Sequence, residues 1–232
     1  MPHQAGNAGE NWQAHVERED ARYREGERRL AGIADPDARQ RQLTRLANVS
    51  AGAGLALLMD GLGAEAAARL GRAADRYRES FAGAPPESWG RLIGAMKARI
   101  LAGDGDGAAA DARWALEAGA AAADSPSGRY AAALAYLILG DDEQARIQAD
   151  AIRAGDDFPR EVGDALAFLA AHDVLGYTES VESVLRSFET RNEYLEDIPV
   201  ADTVLVLQIL AGSRGIAAQL SSPLLPQQEP EG

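Results

Sequence analysis

The stretch that decides the fold is LILGDDEQARIQADAI, residues Leu137 to Ile152. An apolar run ends at Gly140, an acidic pair follows, and apolar residues then recur at positions 145, 149 and 152. That spacing of i, i+4, i+7 predicts one face of a helix. Gly140 suits the left-handed position that ends a helix, and the acidic pair suits the positive N-terminus of the next one. The stretch therefore predicts two helices joined by a tight turn.

Turns of this kind recur along the chain. The predicted turn glycines are spaced by 40, 37, 36 and 36 residues: Gly63, Gly103, Gly140, Gly176 and Gly212. A period near 36 is typical of stacked helical hairpins, each of which buries its apolar face against the next. Only 6% of the residues are aromatic, which favours close-packed helices over a β-sandwich. We predict an all-α protein, a tetratricopeptide-like α-α superhelix of helical hairpins with a period near 36 residues.

The ends of the 232-residue chain differ from its middle. Residues 1–9 are polar and are predicted to be disordered, and so is the tail at 227–232. Residues 10–226 are predicted to form a single helical-repeat domain. Its last helix carries the run VLVLQIL, which is apolar almost all round, and residues 218–226 contain leucines and prolines that could lie extended across it.

The net charge of −13 is distributed unevenly. Residues 141–202 carry 16 acids and 5 bases, whereas residues 36–140 carry 11 acids and 12 bases. A nucleic-acid-binding protein would have the opposite sign, so we expect no direct nucleic-acid contact. The acidic quarter of the chain, residues 141–202, indicates a basic protein partner. The alternative is that acidity keeps the protein soluble or reflects a high-salt habitat.

The chemical motifs give little support to an enzyme. The absence of cysteine excludes disulfides and thiolate chemistry. The small residues 51–54 lack the Lys-Ser/Thr of a phosphate-binding loop, and DGDG at 104–107 lacks the other ligands of a calcium loop. His172 has no second histidine near it in sequence, and the doublet Glu196-Asp197 is a common helix-start pattern. We expect no catalytic residues, no metal and no cofactor.

The sequence also bears on location. Its N-terminal residues lack a basic region followed by an apolar run, and nowhere do 18 consecutive apolar residues occur. We therefore expect a soluble, cytoplasmic protein without membrane contact.

The most distinctive stretch is RSFETRNEYLEDIPVAD, residues 186–202. Exposed tyrosine and arginine among carboxylates are typical of a recognition surface. The alternative is an ion-paired linker with Tyr194 and Leu195 packed into the core. The predicted partner-binding residues are Arg186, Glu189, Arg191, Glu193, Tyr194, Glu196 and Asp197.

The C-terminal third resembles the end of the immunity protein 49 family, all-helical proteins associated with polymorphic toxin systems. The resemblance covers about the last 50 residues and rests on four short matches: residues 185–191, Val204-Leu205-Val206-Leu207, Arg214-Gly215 and residues 222–226. It implies a non-enzymatic antidote that binds and neutralises a cognate toxin, such as a basic nuclease, but it identifies no contact residues. The alternative function is a tetratricopeptide-like scaffold or regulator that binds a peptide or protein partner.

Overall fold

In a computed structural model, which describes residues 11–227, the protein is all-α: these residues form ten α-helices and no strand. The all-α prediction is confirmed. The predicted loose ends lie outside the described residues, apart from Gln227, which is exposed. The helices are α1 Trp12–Leu30, α2 Pro36–Met59, α3 Gly63–Phe81, α4 Trp89–Leu101, α5 Gly105–Glu117, α6 Pro126–Leu139, α7 Asp142–Arg153, α8 Arg160–Ala170, α9 Val174–Thr190 and α10 Asp202–Gly212. Two 3-10 turns lie at Ala120–Ala122 and Leu195–Asp197.

The hairpin from Leu137 to Ile152 is confirmed. Gly140 ends α6 with a φ of +78°. This left-handed conformation costs glycine little free energy, because glycine has no Cβ. The Asp141 carboxylate then accepts a hydrogen bond from the backbone amide of Gln144 and caps α7. The predicted apolar face of α7 is buried against its neighbours, and it consists of Ala145, Ala149 and Ile152.

Three of the five predicted turn glycines are not turn residues. Gly63 is the first residue of α3, Gly176 lies in the first turn of α9, and Gly212 is the last residue of α10. The left-handed residues of those turns are instead Gly61, His172 and Gly215. The α8–α9 turn falls earlier than predicted because Asp173 caps α9, accepting a hydrogen bond from the Gly176 amide at 3.0 Å. Gly176 serves packing, since a Cβ there would come 2.5 Å from the ring of Phe168.

Successive helices pack against each other along the chain, but the C-terminal part turns back. Helix α10 contacts α4 as well as α8 and α9, and the Leu195–Asp197 turn contacts α2. Residues 191–201 therefore run from the end of α9 back to α2 before the chain enters α10. We call these residues the returning segment. Ile198 and Val200 are buried along this path, so this segment joins the two ends of the array.

The small residues at 51–54 allow two close approaches. A Cβ on Gly54 would lie 2.6 Å from Leu70 in α3, so the missing side chain lets α2 and α3 pack closely. A Cβ on Gly52 would lie 3.0 Å from Ile198 and 3.2 Å from Glu196. The run thus also makes room for the returning segment.

The tail beyond α10 lies across that helix, as predicted. The Gln208 side chain accepts a hydrogen bond from the Ala218 amide and donates one to its carbonyl, at 3.1 and 2.5 Å. The Ala201 amide donates to the Leu224 carbonyl at 3.0 Å, and Leu224 and Leu225 are buried. The apolar α10 is covered on both sides for this reason.

Candidate functional site

Helix α9 has one buried and one exposed face. Its buried face is formed by Tyr177, Val181, Val184, Leu185 and Phe188. The opposite face follows the spacing i, i+4, i+7, i+11, i+14 and is exposed throughout: Leu175, Glu179, Glu182, Arg186 and Glu189. We call these five residues the α9 stripe. Because the described chain leaves this face open, it is available to a partner.

The α9 stripe is acidic and begins with an apolar residue. It holds three glutamates against one arginine, and Arg186 lies 3.6 Å from Glu182. Glu189 accepts a hydrogen bond from the Ser222 hydroxyl at 2.7 Å, whereas Glu179 has no ion pair in the described chain. Leu175 is 78% exposed. An open leucine beside carboxylates suits a basic partner that also brings apolar contact area.

A groove of 440 Å³ runs beside the stripe, between α8 and α9. Glu161, Asp164 and Glu179 line it, together with the ring of Phe168. Asp164 is held by Arg153 at 2.5 Å, whereas Glu161 and Glu179 have no ion pair in the part of the chain that is described. Arg160 and Arg186 also line the groove, and Arg153 already lies over the Phe168 ring at 5.4 Å. The free carboxylates of Glu161 and Glu179 are therefore the groups that remain for a basic side chain of a partner.

The carboxylates of residues 141–202 are less neutralised than those of the N-terminal half. Earlier in the chain, arginines hold buried acids: Arg22 contacts Glu19 at 2.8 Å, and Arg78 binds Asp111. In the acidic quarter, the carboxylates without an ion pair within residues 11–227 are Asp141, Glu143, Asp156, Asp157, Glu161, Asp173, Glu179, Glu189, Glu193 and Asp197. Negative potential is therefore concentrated on the C-terminal part of the surface.

Four of the predicted partner-binding residues are exposed, with Arg186 lying 3.6 Å from Glu182 and Glu189 accepting the Ser222 hydroxyl. Arg186 and Glu189 belong to the α9 stripe, and Glu193 and Asp197 follow it in the returning segment without ion pairs in the described chain. The structure thus brings Arg186 and Glu189 into one stripe, whereas Glu193 lies beyond the helix end, after the backbone becomes extended at Arg191.

The other three predicted residues make intramolecular contacts. Arg191 lies over the ring of Phe188, and the Tyr194 hydroxyl donates to the Phe188 carbonyl at 2.9 Å. Glu196 is 14% exposed and pairs with Arg22 at 2.6 Å. At Tyr194 and Glu196 these contacts agree with the alternative interpretation of the stretch as an ion-paired linker, because both side chains fasten the segment to the fold.

Backbone conformation restricts the same segment. Glu196 and Asp197 both have positive φ angles, 53° and 57°, which non-glycine residues rarely adopt. The Arg18 guanidinium donates to the Glu196 carbonyl at 2.8 Å and holds this turn on α1. The doublet is therefore not a helix start. Glu196 and Asp197 form a fixed corner, and α10 begins at Asp202.

Sequence reasoning missed Leu175, Glu179 and Glu182. A signal was present, because these positions lie on the helix face opposite the apolar residues Val181 and Val184. The assignment of Gly176 to a turn concealed it, since that placed Leu175 at a helix end.

Lys97, the single lysine of the chain, also went unnoticed as a site. Its ammonium lies 2.6 Å from Asp202 Oδ2 and donates to the Thr203 hydroxyl at 3.0 Å, between α4 and α10. Burial lowers the pKa of Lys97, but the neighbouring Asp202 carboxylate outweighs that effect and the pKa is raised. A lysine kept protonated is a poor nucleophile, so the ion pair fastens α4 to α10.

His172 contacts a carboxylate but does not form a metal site. Its Nε2 lies 2.8 Å from Asp142, which also receives Arg214 at 2.6 Å. Burial raises the pKa of Asp142, yet the bonds from Arg214 and His172 outweigh it and the pKa is lowered. Over residues 11–227, no group of three or more histidine and acidic residues could hold a metal ion. DGDG is not the turn itself: Asp104 caps α5 through the Gly107 amide at 2.9 Å, and residues 105–107 form the first turn of that helix.

None of the described helices has the length and apolar character needed to cross a membrane. Comparison with protein-family models, with curated proteins and with solved structures gave no match to this chain.

Proposed function

We propose that this protein is a non-enzymatic immunity-type protein that binds and neutralises a cognate basic toxin, such as a nuclease, in the cytoplasm. The observation that carries the proposal is the α9 stripe with its neighbouring groove: open carboxylates, an exposed leucine and no covering element in the described chain. Complementary charge speeds encounter with a basic surface and selects against other partners. Blocking such a surface needs contact and no chemistry.

The proposal places the contact on α9 and at Glu193 and Asp197. Glu196 and Tyr194 support it indirectly, because they hold the returning segment in place. Charge reversal at Glu196 would release Arg22 and disturb the fold, so this residue is unsuitable for a binding test. Substitution of Glu179 changes surface charge alone, and substitution of Glu182 removes only an exposed pair with Arg186 at 3.6 Å.

The first test is protection. Where a neighbouring gene encodes a toxin domain, that domain is expressed with and without this protein, and cell survival is measured. Survival with the wild-type protein supports the proposal, and death in both cases contradicts it for that pair.

The second test maps the surface. The double variant Glu179→Lys/Glu182→Lys should slow association with the toxin roughly tenfold at low salt, with the difference shrinking at high salt. The matched control is Glu17→Lys/Glu117→Lys, which changes net charge equally at exposed sites in the N-terminal half. Equal slowing by both variants would mean that net charge, and not the α9 stripe, attracts the partner.

A second candidate is a tetratricopeptide-like scaffold or regulator that binds a peptide or protein partner. The spacing of helix pairs favours it: the first residues of α3, α5, α7 and α9 lie 42, 37 and 32 residues apart, which averages near the proposed period of 36 residues. A peptide between α2 and α4 would have to displace residues 195–200, which already contact α2. The variant Glu179→Lys/Glu182→Lys should then leave peptide binding unchanged, whereas toxin binding requires the α9 stripe.

A further inference from the structure

An apolar cavity of 200 Å³ lies between the first helices and the returning segment. Its apolar wall is shared by α2, α3, α4 and the returning segment, which contribute Leu55, Leu70, Ile93 and Leu195. A polar cavity of 420 Å³ lies next to it, and three residues line both spaces: Lys97, Leu195 and Asp202. The two cavities are therefore adjacent parts of one depression, with the ion pair between Lys97 and Asp202 at their border.

The charges around this depression cancel. The charged residues in the lining of the apolar cavity are Lys97 and Asp202, and they pair at 2.6 Å. Arg191 and Glu193 add one charge of each sign to the polar cavity. A charged ligand would lose its hydration in the apolar cavity and would meet no excess of opposite charge there. The lining therefore favours a neutral molecule.

The ion pair leaves one hydrogen-bond donor open. A lysine ammonium has three N–H donors. In the described chain, those of Lys97 meet two acceptors, Asp202 Oδ2 at 2.6 Å and the Thr203 hydroxyl at 3.0 Å. The Lys97 side chain is 15% exposed, so little water reaches the ammonium from outside. An acceptor within the apolar cavity, which Lys97 lines, would satisfy the third N–H.

We propose that this depression binds a small neutral molecule with an apolar body and one hydrogen-bond acceptor, such as an aromatic ketone. The ring would lie among Leu55, Leu70 and Ile93, and the carbonyl oxygen would accept the third N–H of Lys97. A cavity of about 150 Å³ admits a benzene ring. The volume of 200 Å³ therefore admits a phenyl group with a small substituent.

Glycine at position 90 gives the ligand room. Gly90 lies in the first turn of α4 and lines the apolar cavity, and an added Cβ would meet no atom within 4 Å. Gly94 lines the same cavity, but a Cβ there would come 2.7 Å from the ring of Tyr77. A larger side chain at position 90 therefore takes up cavity space without a clash, and the same change at position 94 would disturb the fold.

The test is an NMR chemical-shift titration of the full chain with three ligands of similar size. Acetophenone is neutral and has an acceptor, ethylbenzene is neutral without one, and benzoate is an anion. Acetophenone should bind roughly tenfold or more tightly than benzoate, because the carboxylate loses its hydration beside Asp202. The amides of Gly90 and Gly94 should shift on binding. Benzoate binding as tight as that of acetophenone, or no binding of acetophenone, would overturn the proposal.

Two variants locate the ligand. Lys97→Met should weaken acetophenone binding roughly tenfold and leave ethylbenzene binding unchanged, because only the ketone loses a hydrogen bond to a charged group. The carbonyl stretch of bound acetophenone should accordingly lie at a lower frequency in the wild type than in this variant. Gly90→Leu should abolish binding of both compounds while its melting temperature stays at or above that of the wild type. Equal weakening of both compounds by Lys97→Met, or undiminished binding by a folded Gly90→Leu protein, would contradict this placement of the ligand.

Discussion

The buried pair between Lys97 and Asp202 gives a stability prediction with a definite size. The ammonium and carboxylate are 2.6 Å apart, and their side chains are 15% and 22% exposed. Replacement of Lys97 by methionine keeps the length of the side chain but leaves Asp202 without its cation. Removal of one partner of a fully buried pair costs about 3–5 kcal/mol.

Two features reduce the expected cost. Asp202 keeps some contact with water, and its Oδ1 still accepts the Thr203 amide at 2.7 Å. We therefore expect Lys97→Met to lower the free energy of unfolding by about 2–3 kcal/mol, somewhat less than the cost for a fully buried pair. At roughly 2–4 °C per kcal/mol for a chain of this size, the melting temperature falls by roughly 4–12 °C.

The assay is urea unfolding followed by circular dichroism, completed as a double-mutant cycle with Asp202→Asn. The double variant Lys97→Met/Asp202→Asn has no uncompensated charge, so it should regain about half of the loss or more. A Lys97→Met protein as stable as the wild type would refute the reasoning. A double variant less stable than the single one would also refute it, because the loss would then come from packing and not from an unpaired charge.

Three further predictions follow from the packing and the ion pairs. Gly54→Ala should cost about 1–3 kcal/mol in urea unfolding, because its Cβ would lie 2.6 Å from a leucine carbon of α3. The control Gly71→Ala in α3 should be neutral or stabilising, because the added Cβ would meet only the end of the Arg99 side chain, at an ordinary contact distance of 3.7 Å. The lowered pKa of Asp142 stabilises the fold above the ordinary carboxyl pKa of roughly 3.9, and that stabilisation is lost as pH falls through the lower folded value. Unfolding midpoints of wild type and Asp142→Asn should therefore differ at neutral pH and converge in acid, and a constant difference would assign the effect to the Arg214 hydrogen bonds alone. Acetic anhydride should label Lys97 slowly in the folded protein and rapidly in urea, because the folded protein holds the amine largely buried and protonated. Peptide mass spectrometry measures the labelling, and equal labelling in both states would contradict the ion pair.

The prediction of partner-binding residues depended on which side chains are exposed to solvent. The sequence indicates that exposure for only some of them. Arg186 and Glu189 occupy the polar complement of an apolar 3–4 spacing, so the sequence places them on an open helix face. Tyr194 and Glu196 lie beyond the helix end, where no periodicity indicates which side chains turn inward. Their partners, Phe188 and Arg22, come from α9 and α1, and the contact between distant elements depends on the return of the chain.

What the sequence by itself determined is local: an all-α protein, the capped hairpin at Gly140, and an excess of carboxylates in residues 141–202. Helix periodicity, the left-handed glycine and the charge of each segment depend on neighbours within a few residues, and a sequence displays those directly. The tertiary structure decided which carboxylates are paired, that residues 191–201 return to α2, and that Lys97 and Arg191 share one depression. These depend on contacts between elements about 100 residues or more apart, such as Lys97 with Asp202 and Arg22 with Glu196, and no local pattern encodes such pairings.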